Sequence, residues 1–392
     1  MIFKTARGRI FFIFLAMLWI PFLQQKFRIT KSGTLHGYNV LHHHFPFTWK
    51  GWWNGTYQSN ENDFLNDSMG YRTMLLRLNN QVDYSLFKKV HANGIVVGKD
   101  KYMYETGYID DYCGVNYVGD ITIKNKLTRL KKIQDTLAKL GKTLLVVYAP
   151  SKVYYYPEYL PDSMKCAEAV NSNYKSYTRI SDSLGINEID CNGWFRGLKG
   201  KRDNIFTRPG THWTAYGAQL ATDSIVRYIS RVRNIRMPQA ISRKITRTTI
   251  PQAQEWDLEA AFNLLFRITK DTFTHQEVVY SKDSTLTRPS VILIGDSFGW
   301  TIVGNDLLKP VSNYWEFWYY FGEVYNQQIT EGIEPGQKIA EYDWMDKVLH
   351  KDVVILLYTT ENLPVFGNGF IEQSCKYFDF DSRSSDLQQI KK

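Results

Sequence analysis

The chain has 392 residues, 44% of them hydrophobic and 22% charged, which provides for a sizeable core and excludes a wholly disordered chain. Its net charge of +9 suggests a nucleic-acid binder, but Lys4, Arg7, Arg9, Lys26, Arg28 and Lys31 stand in the first 31 residues with no acidic residue among them. Removing those six leaves +3 for the rest, too little to build a phosphate-binding surface, and no nucleic-acid partner is expected. By length the chain holds one large domain or two modest ones.

The basic start is followed by sixteen uncharged residues between Arg9 and Lys26, with an apolar stretch from Ile10 to Leu23. As a helix they span roughly 24 Å, slightly less than the ~30 Å hydrocarbon core. The stretch is apolar all round, unlike an amphipathic helix packed on a core. It runs into Gln24-Gln25-Lys26-Phe27-Arg28 without a small-residue cleavage signal, so residues 1–26 read as an uncleaved signal anchor. The positive flank puts the N-terminus in the cytoplasm and the body in the periplasm or outside.

Residues 27–60 are rich in aromatics, Gly and Asn and read as an extended spacer. They include His42-His43-His44, but adjacent imidazoles do not converge on one ion, and no metal site is expected. Phe64-Leu-Asn-Asp-Ser-Met-Gly-Tyr-Arg72 then leads into a helix with Leu75, Leu78, Val82 and Leu86 on one stripe, a spacing that predicts a buried face. Ile95-Val-Val-Gly-Lys-Asp-Lys-Tyr-Met-Tyr104 follows.

From Asp120 an α/β pattern begins. Asp120 can cap a helix with Ile123, Leu127, Leu130, Ile133, Leu137 and Leu140 facing inward, and Gly141 can end it. Thr143–Tyr148 reads as a buried strand, and Pro150-Ser-Lys152 begins the loop after it. Lys152, at the C-terminal end of that strand, is a candidate for the rim of a site. Cys113, Cys166, Cys191 and Cys375 allow three pairings, with no zinc-like spacing among them.

Two further segments carry chemistry. Thr207-Arg-Pro-Gly-Thr-His-Trp-Thr-Ala-Tyr-Gly-Ala218 opens a helix with Ala218, Ala221, Ile225, Val226 and Ile229 facing inward, so His212 sits near a helix N-terminus, where the dipole favours a neutral imidazole. Residues 234–290 are more polar and read as an insertion or return connection. The apolar run Val291–Ile294 then stops at Gly295-Asp296-Ser297, a buried strand that delivers a serine into the crevice at the sheet's C-terminal edge. A serine hydroxyl needs a base, which makes Ser297 the candidate nucleophile and His212 its partner. Asp296 and Trp213 are further rim candidates. A third buried strand spans Asp352–Tyr358, with Glu361 just beyond it, and a charged tail runs over 376–392.

The Gly-Asp-Ser strand end and the His212-Trp213 pair, with the Asn66–Arg72 and Val97–Tyr104 segments, resemble the SGNH-hydrolase-like domain of the alginate O-acetyltransferase family. In that family the serine follows an Asp-x-His-Trp motif, a permutation of the order in ordinary SGNH esterases. The resemblance implies an α/β fold: an SGNH-hydrolase-like (flavodoxin-like) parallel sheet flanked by helices over residues 61–375, with the N-terminal anchor ahead of it. It also implies a cofactor-free O-acetyltransferase in which Ser297 and His212 move an acyl group to a hydroxyl of an extracytoplasmic polysaccharide. Its partners would be that acceptor, an acyl donor, and a membrane O-acyltransferase as a candidate source of the acyl group. A carbohydrate O-acetyl esterase and a catalytically silent glycan-binding or assembly subunit are the alternatives. One departure bears on activity: the family's aspartate, two residues before the histidine, is Gly210 here, and Asp203, Glu361 or a backbone carbonyl are the candidates to orient the imidazole.

Overall fold

The computed structural model describes residues 5–30, 33–37, 42–327 and 336–380, so Lys4, part of the expected spacer and residues 381–392 of the expected tail lie outside the described residues. The chain divides into two compact units, one formed by residues 1–93 with 258–268, the other by 94–257 with 269–392. The boundary expected at residue 61 falls inside the first unit.

In the first unit the apolar segment is one helix, Ala6–Phe27, long and apolar enough to cross a membrane. Where an extended spacer is expected, helices occupy Trp49–Trp53 and Thr56–Ser68, and the rings of His42 and His44 pair with Asp67 and Glu61. The helix Arg72–Phe87 forms as its spacing predicts, but it presents the other face to its neighbours. Asn80 donates to the Phe262 carbonyl at 3.0 Å, Tyr84 packs near the Phe262 ring, and Gln81 accepts from the Phe266 N–H. Leu75, Leu78, Val82 and Leu86, expected to be buried, are exposed. Periodicity shows that a helix has an apolar face, not what lies opposite that face.

The second unit holds the sheets. Its strands are β1 (Ile95–Val97), β2 (Met103–Glu105), β3 (Thr143–Ala149), β4 (Glu188–Asp190), β5 (Ala240–Thr248), β6 (Phe273–Tyr280), β7 (Ser290–Gly295), β8 (Tyr314–Tyr319), β9 (Glu323–Asn326), β10 (Gln337–Lys338) and β11 (Val353–Thr359). The central sheet runs β10-β9-β8-β7-β11-β3-β4. Strands β4, β3, β11, β7 and β8 are parallel, and β9 and β10 extend the edge antiparallel, so the sheet is mixed where an all-parallel one is expected. β3 and β11 are buried along their whole length and β7 beyond its first residue, which explains their continuous apolar runs.

The helix Asp120–Lys139 covers the sheet with Ile123, Leu127, Leu130, Ile133 and Leu137. Its N-cap is Gly119 rather than Asp120, whose carboxylate accepts from the Tyr117 hydroxyl and Arg179, and Leu140 is exposed. The helix Ala215–Val232 buries Ala218, Ala221, Ile225, Val226 and Ile229 and is capped by Thr214, whose hydroxyl accepts from the Gly217 N–H. The polar 234–290 region contains a long antiparallel hairpin, β5 with β6. Two shorter strands, β1 and β2, pair antiparallel around Gly98–Tyr102. A disulfide joins Cys113 to Cys166, and Cys191 and Cys375 are buried thiols outside that bridge.

Candidate active site

β7 ends at Gly295, where no side chain fits: a Cβ would lie 2.3 Å from the Leu357 carbonyl oxygen of β11. The chain turns at Asp296, whose buried carboxylate accepts from the Thr359 N–H and Oγ1, both at 2.7 Å, from Asn362 Nδ2 at 3.0 Å and from the Phe298 N–H at 3.1 Å. Burial pushes its pKa up, and those four donors oppose the shift. Asp296 therefore pins the turn from below. It is not on the rim, where the sequence suggests it. Ser297, next in the chain, is half-buried.

His212 reaches the serine from a loop closed by a single antiparallel bridge between Phe206 and Trp213. Trp213 is fully buried, and its indole N–H donates to the Phe298 carbonyl at 3.2 Å, which ties the histidine loop to the serine turn. It is a packing residue and not part of a rim. The His212 ring packs 4.8 Å from that of Phe298, and its Nε2 stands 2.9 Å from Ser297 Oγ.

The other ring nitrogen meets a carboxylate that no motif marks. His212 Nδ1 is 2.5 Å from Oδ2 of Asp257, and Asp257 Oδ1 accepts from the Thr211 N–H at 2.8 Å. Asp257 opens the short helix Asp257–Ala261 inside the polar 234–290 region, 45 positions from the histidine. Its residue type is a signal, but nothing in its spacing separates it from the other acids there. The carboxylates expected in that role lie elsewhere. Asp203 accepts two hydrogen bonds from Arg247, and Glu361 packs its carboxyl over Gly107.

Gly210 has no room for the aspartate it replaces. A Cβ there would lie 2.7 Å from the Glu255 carbonyl oxygen and 2.8 Å from its carbon. The Glu255 backbone, also held by the Thr207 hydroxyl, comes this close because the Gln252–Asp257 segment folds back onto the histidine loop. The same close approach that excludes a side chain at 210 brings in the carboxylate of 257.

The electrostatics of the site favour a charged imidazole. Burial alone lowers the pKa of His212, but the charge and hydrogen bond of Asp257, with Glu105 and Asp296 behind, win and raise it. The dipole-lowered value expected from the helix N-terminus is therefore overridden. Glu361 is pushed up to about 7 by burial and by the nearby Glu105 and Asp296. Lys152, expected at the rim, is only 3% exposed and lies beneath the loop, its ammonium donating to the Arg208 and Gly210 carbonyls.

A half-buried serine just beyond the C-terminal end of a parallel strand, hydrogen-bonded to a histidine that is hydrogen-bonded to a carboxylate, is the geometry of the serine acyl-transfer class. The chain belongs to the family described as SGNH hydrolase-like domain, acetyltransferase AlgX, which matches residues 95–352. It is similar to a probable alginate O-acetylase AlgJ of Pseudomonas syringae pv. tomato, 27% identical over 144 residues, covering 37% of this chain and 35% of the relative. A probable alginate O-acetylase AlgJ of Pseudomonas putida is 24% identical over 150 residues, covering 38% of this chain and 37% of the relative. The chain thus spans little more than a third of the length of the curated relatives it matches. Among solved structures, the O-acetyltransferase domain of Pseudomonas putida AlgJ superposes with a TM-score of 0.45 at 19% identity, over 72% of this chain and 99% of that one. Pseudomonas aeruginosa AlgX gives 0.43 at 14% identity, over 72% and 67%.

Proposed function

We propose that the chain is a membrane-anchored, extracytoplasmic, serine-dependent O-acetyltransferase acting on a cell-surface or exported polysaccharide. The observation that carries the reading is the continuous line of hydrogen bonds from Ser297 through His212 to Asp257. As Ser297 Oγ attacks the acetyl carbonyl of a donor, His212 Nε2 takes the hydroxyl proton and Asp257 stabilises the imidazolium. The tetrahedral intermediate collapses, the leaving group receives the proton from His212, and acetyl-Ser297 remains. A sugar hydroxyl then gives its proton to His212 as it attacks the acetyl-serine; the second tetrahedral intermediate expels Ser297 Oγ, which takes that proton back from His212, and the sugar leaves as its ester.

Among the described residues the Ser297 N–H donates to no protein acceptor, so it is available to the developing oxyanion. The Cys113–Cys166 disulfide suits an oxidising compartment, in keeping with a body outside the cytoplasm. Gly210 and an aromatic content of 15% favour a silent module, and Asp257 answers the first of them by standing where the orienting acid is needed. An esterase would use water in place of the sugar hydroxyl at the same acetyl-serine, so only acceptor access separates the two reactions.

The test is acetyl release from a chromogenic acetyl ester by the full-length protein in detergent, alone and with oligosaccharide acceptors. Wild type should release acetyl and, with an acceptor, form sugar ester, and Ser297→Ala should do neither. Equal rates in the two proteins would defeat the reading.

A further inference from the structure

Lys152 follows β3 and begins the short helix Lys152–Tyr155. Its ammonium is buried with it. It donates to the Arg208 carbonyl at 2.7 Å and to the Gly210 carbonyl at 2.7 Å, and it lies 5.7 and 5.4 Å from the ring centres of Tyr102 and Tyr104. Surface lysines keep the charge in water and bury only the stem. Burying the charge itself is costly unless it is paired and hydrogen-bonded. This placement therefore needs a structural reason.

The two accepting carbonyls bracket Pro209, in the turn that leads through Thr211 to His212. That turn is held on its other sides by the Met103 N–H, which also donates to the Arg208 carbonyl, and by Asp271, which accepts from the Arg208 N–H. Glu105 accepts from the Thr211 hydroxyl at 3.2 Å. The charges facing Lys152 are the carboxylates of Asp257, Asp271 and Glu105 and the Arg208 guanidinium, and those facing His212 are Asp257, Glu105 and Asp296. Lys152 thus shares Asp257 and Glu105 with the imidazole.

Resting on the reading of this site as an acyl-transfer relay, we propose that Lys152 is a positioning residue. It ties down the turn that carries His212 and supplies the positive charge that balances Glu105 and Asp257 beside the ring. Without that charge the carboxylates of Asp257, Glu105 and Asp296 would act on the imidazole with less positive charge opposing them, and it would hold its proton to higher pH, where a base must be neutral to act. Burial lowers the pKa of Lys152 to about 7 against the pull of the carboxylates, so its charge is full on the acid side of that value.

The test compares full-length wild type, Lys152→Met and Lys152→Gln. The His212 ring is titrated by NMR, its signal assigned by comparison with His212→Gln, and kcat and KM are measured for acetyl ester cleavage. Glutamine keeps a donor for one carbonyl and removes the charge, so it separates tether from charge and serves where methionine prevents folding. The His212 midpoint should rise in both variants. The acid limb of kcat should move up with it, and kcat should fall roughly ten- to hundred-fold with KM little changed. A folded variant with the wild-type His212 midpoint, or a lower kcat with the limb unmoved, would overturn the proposal. The ring titration requires no turnover, so it still decides the matter if Ser297→Ala defeats the acyl-transfer reading.

Discussion

The carboxylate of Asp257 stands 2.5 Å from Nδ1 of His212, on the opposite edge of the ring from Ser297. It fixes the tautomer that leaves Nε2 free to accept the serine proton, a task the family pattern gives to the residue two before the histidine. Asp257→Asn should therefore lower kcat by a factor on the order of 10³–10⁴ while the protein stays folded. Asp203→Asn, which loses only a contact to Arg247 away from the site, should stay close to wild type. Steady-state kinetics on the two variants check this, and the reverse ranking would contradict the geometry.

Gly210 should not accept the family's aspartate. The Glu255 backbone lies where a Cβ would go, and backbone cannot swing aside as a flexible side chain can. Gly210→Asp should lower the melting temperature and the rate, and it should fail to rescue Asp257→Asn. Gly210→Ala should already show part of the loss of stability. Thermal unfolding of both single variants, with rates for the double variant, decides the point.

The raised pKa of His212 sets the acid side of the pH profile. Catalysis needs the neutral ring, so the rate should reach half its plateau above the ordinary imidazole value of 6.5. Asp257→Asn removes the main raising influence and should move that limb to lower pH, although the plateau falls. The sign for stability follows: the group binds its proton more tightly when folded. Its contribution is fully present below about 6.5 and is lost as pH rises through the folded value. Rate profiles and unfolding measured between about pH 5 and 9 test both statements.

The disulfide closes a loop of sequence separation 53, which in the chain-entropy picture contributes about 4 kcal/mol. Cys113→Ser should lose stability of that order. Thiol titration of the denatured, unreduced wild type should find the two thiols of Cys191 and Cys375, and four would rule out the bridge.

Much of this protein is written in short-range patterns. The apolar helix Ala6–Phe27, the helix Asp120–Lys139 and the buried strands β3, β7 and β11 announce themselves because local composition and periodicity record how much water each stretch tolerates. Ser297 and His212 are readable for a related reason: each stands beside an element whose direction is legible, Ser297 in Gly-Asp-Ser and His212 in a His-Trp pair that lacks only the aspartate at 210. At the edge of the sheet β10 has only two residues, too few for a periodicity to register.

Tertiary structure decided the rest. The exposed stripe Leu75-Leu78-Val82-Leu86 shows that a helix's spacing cannot say what packs against it. Lys152 looks like a solvated loop lysine until the turn at 208–210 closes over it, and its role depends on carbonyls 56 and 58 residues away. Asp257 belongs to a polar stretch with no periodicity of its own, and only the return of residues 252–257 against Gly210 makes it the partner of His212. Burial is recorded locally because the geometry of a helix or strand fixes which of its own residues share a face. The meeting of two charges depends on the path of all the chain between them.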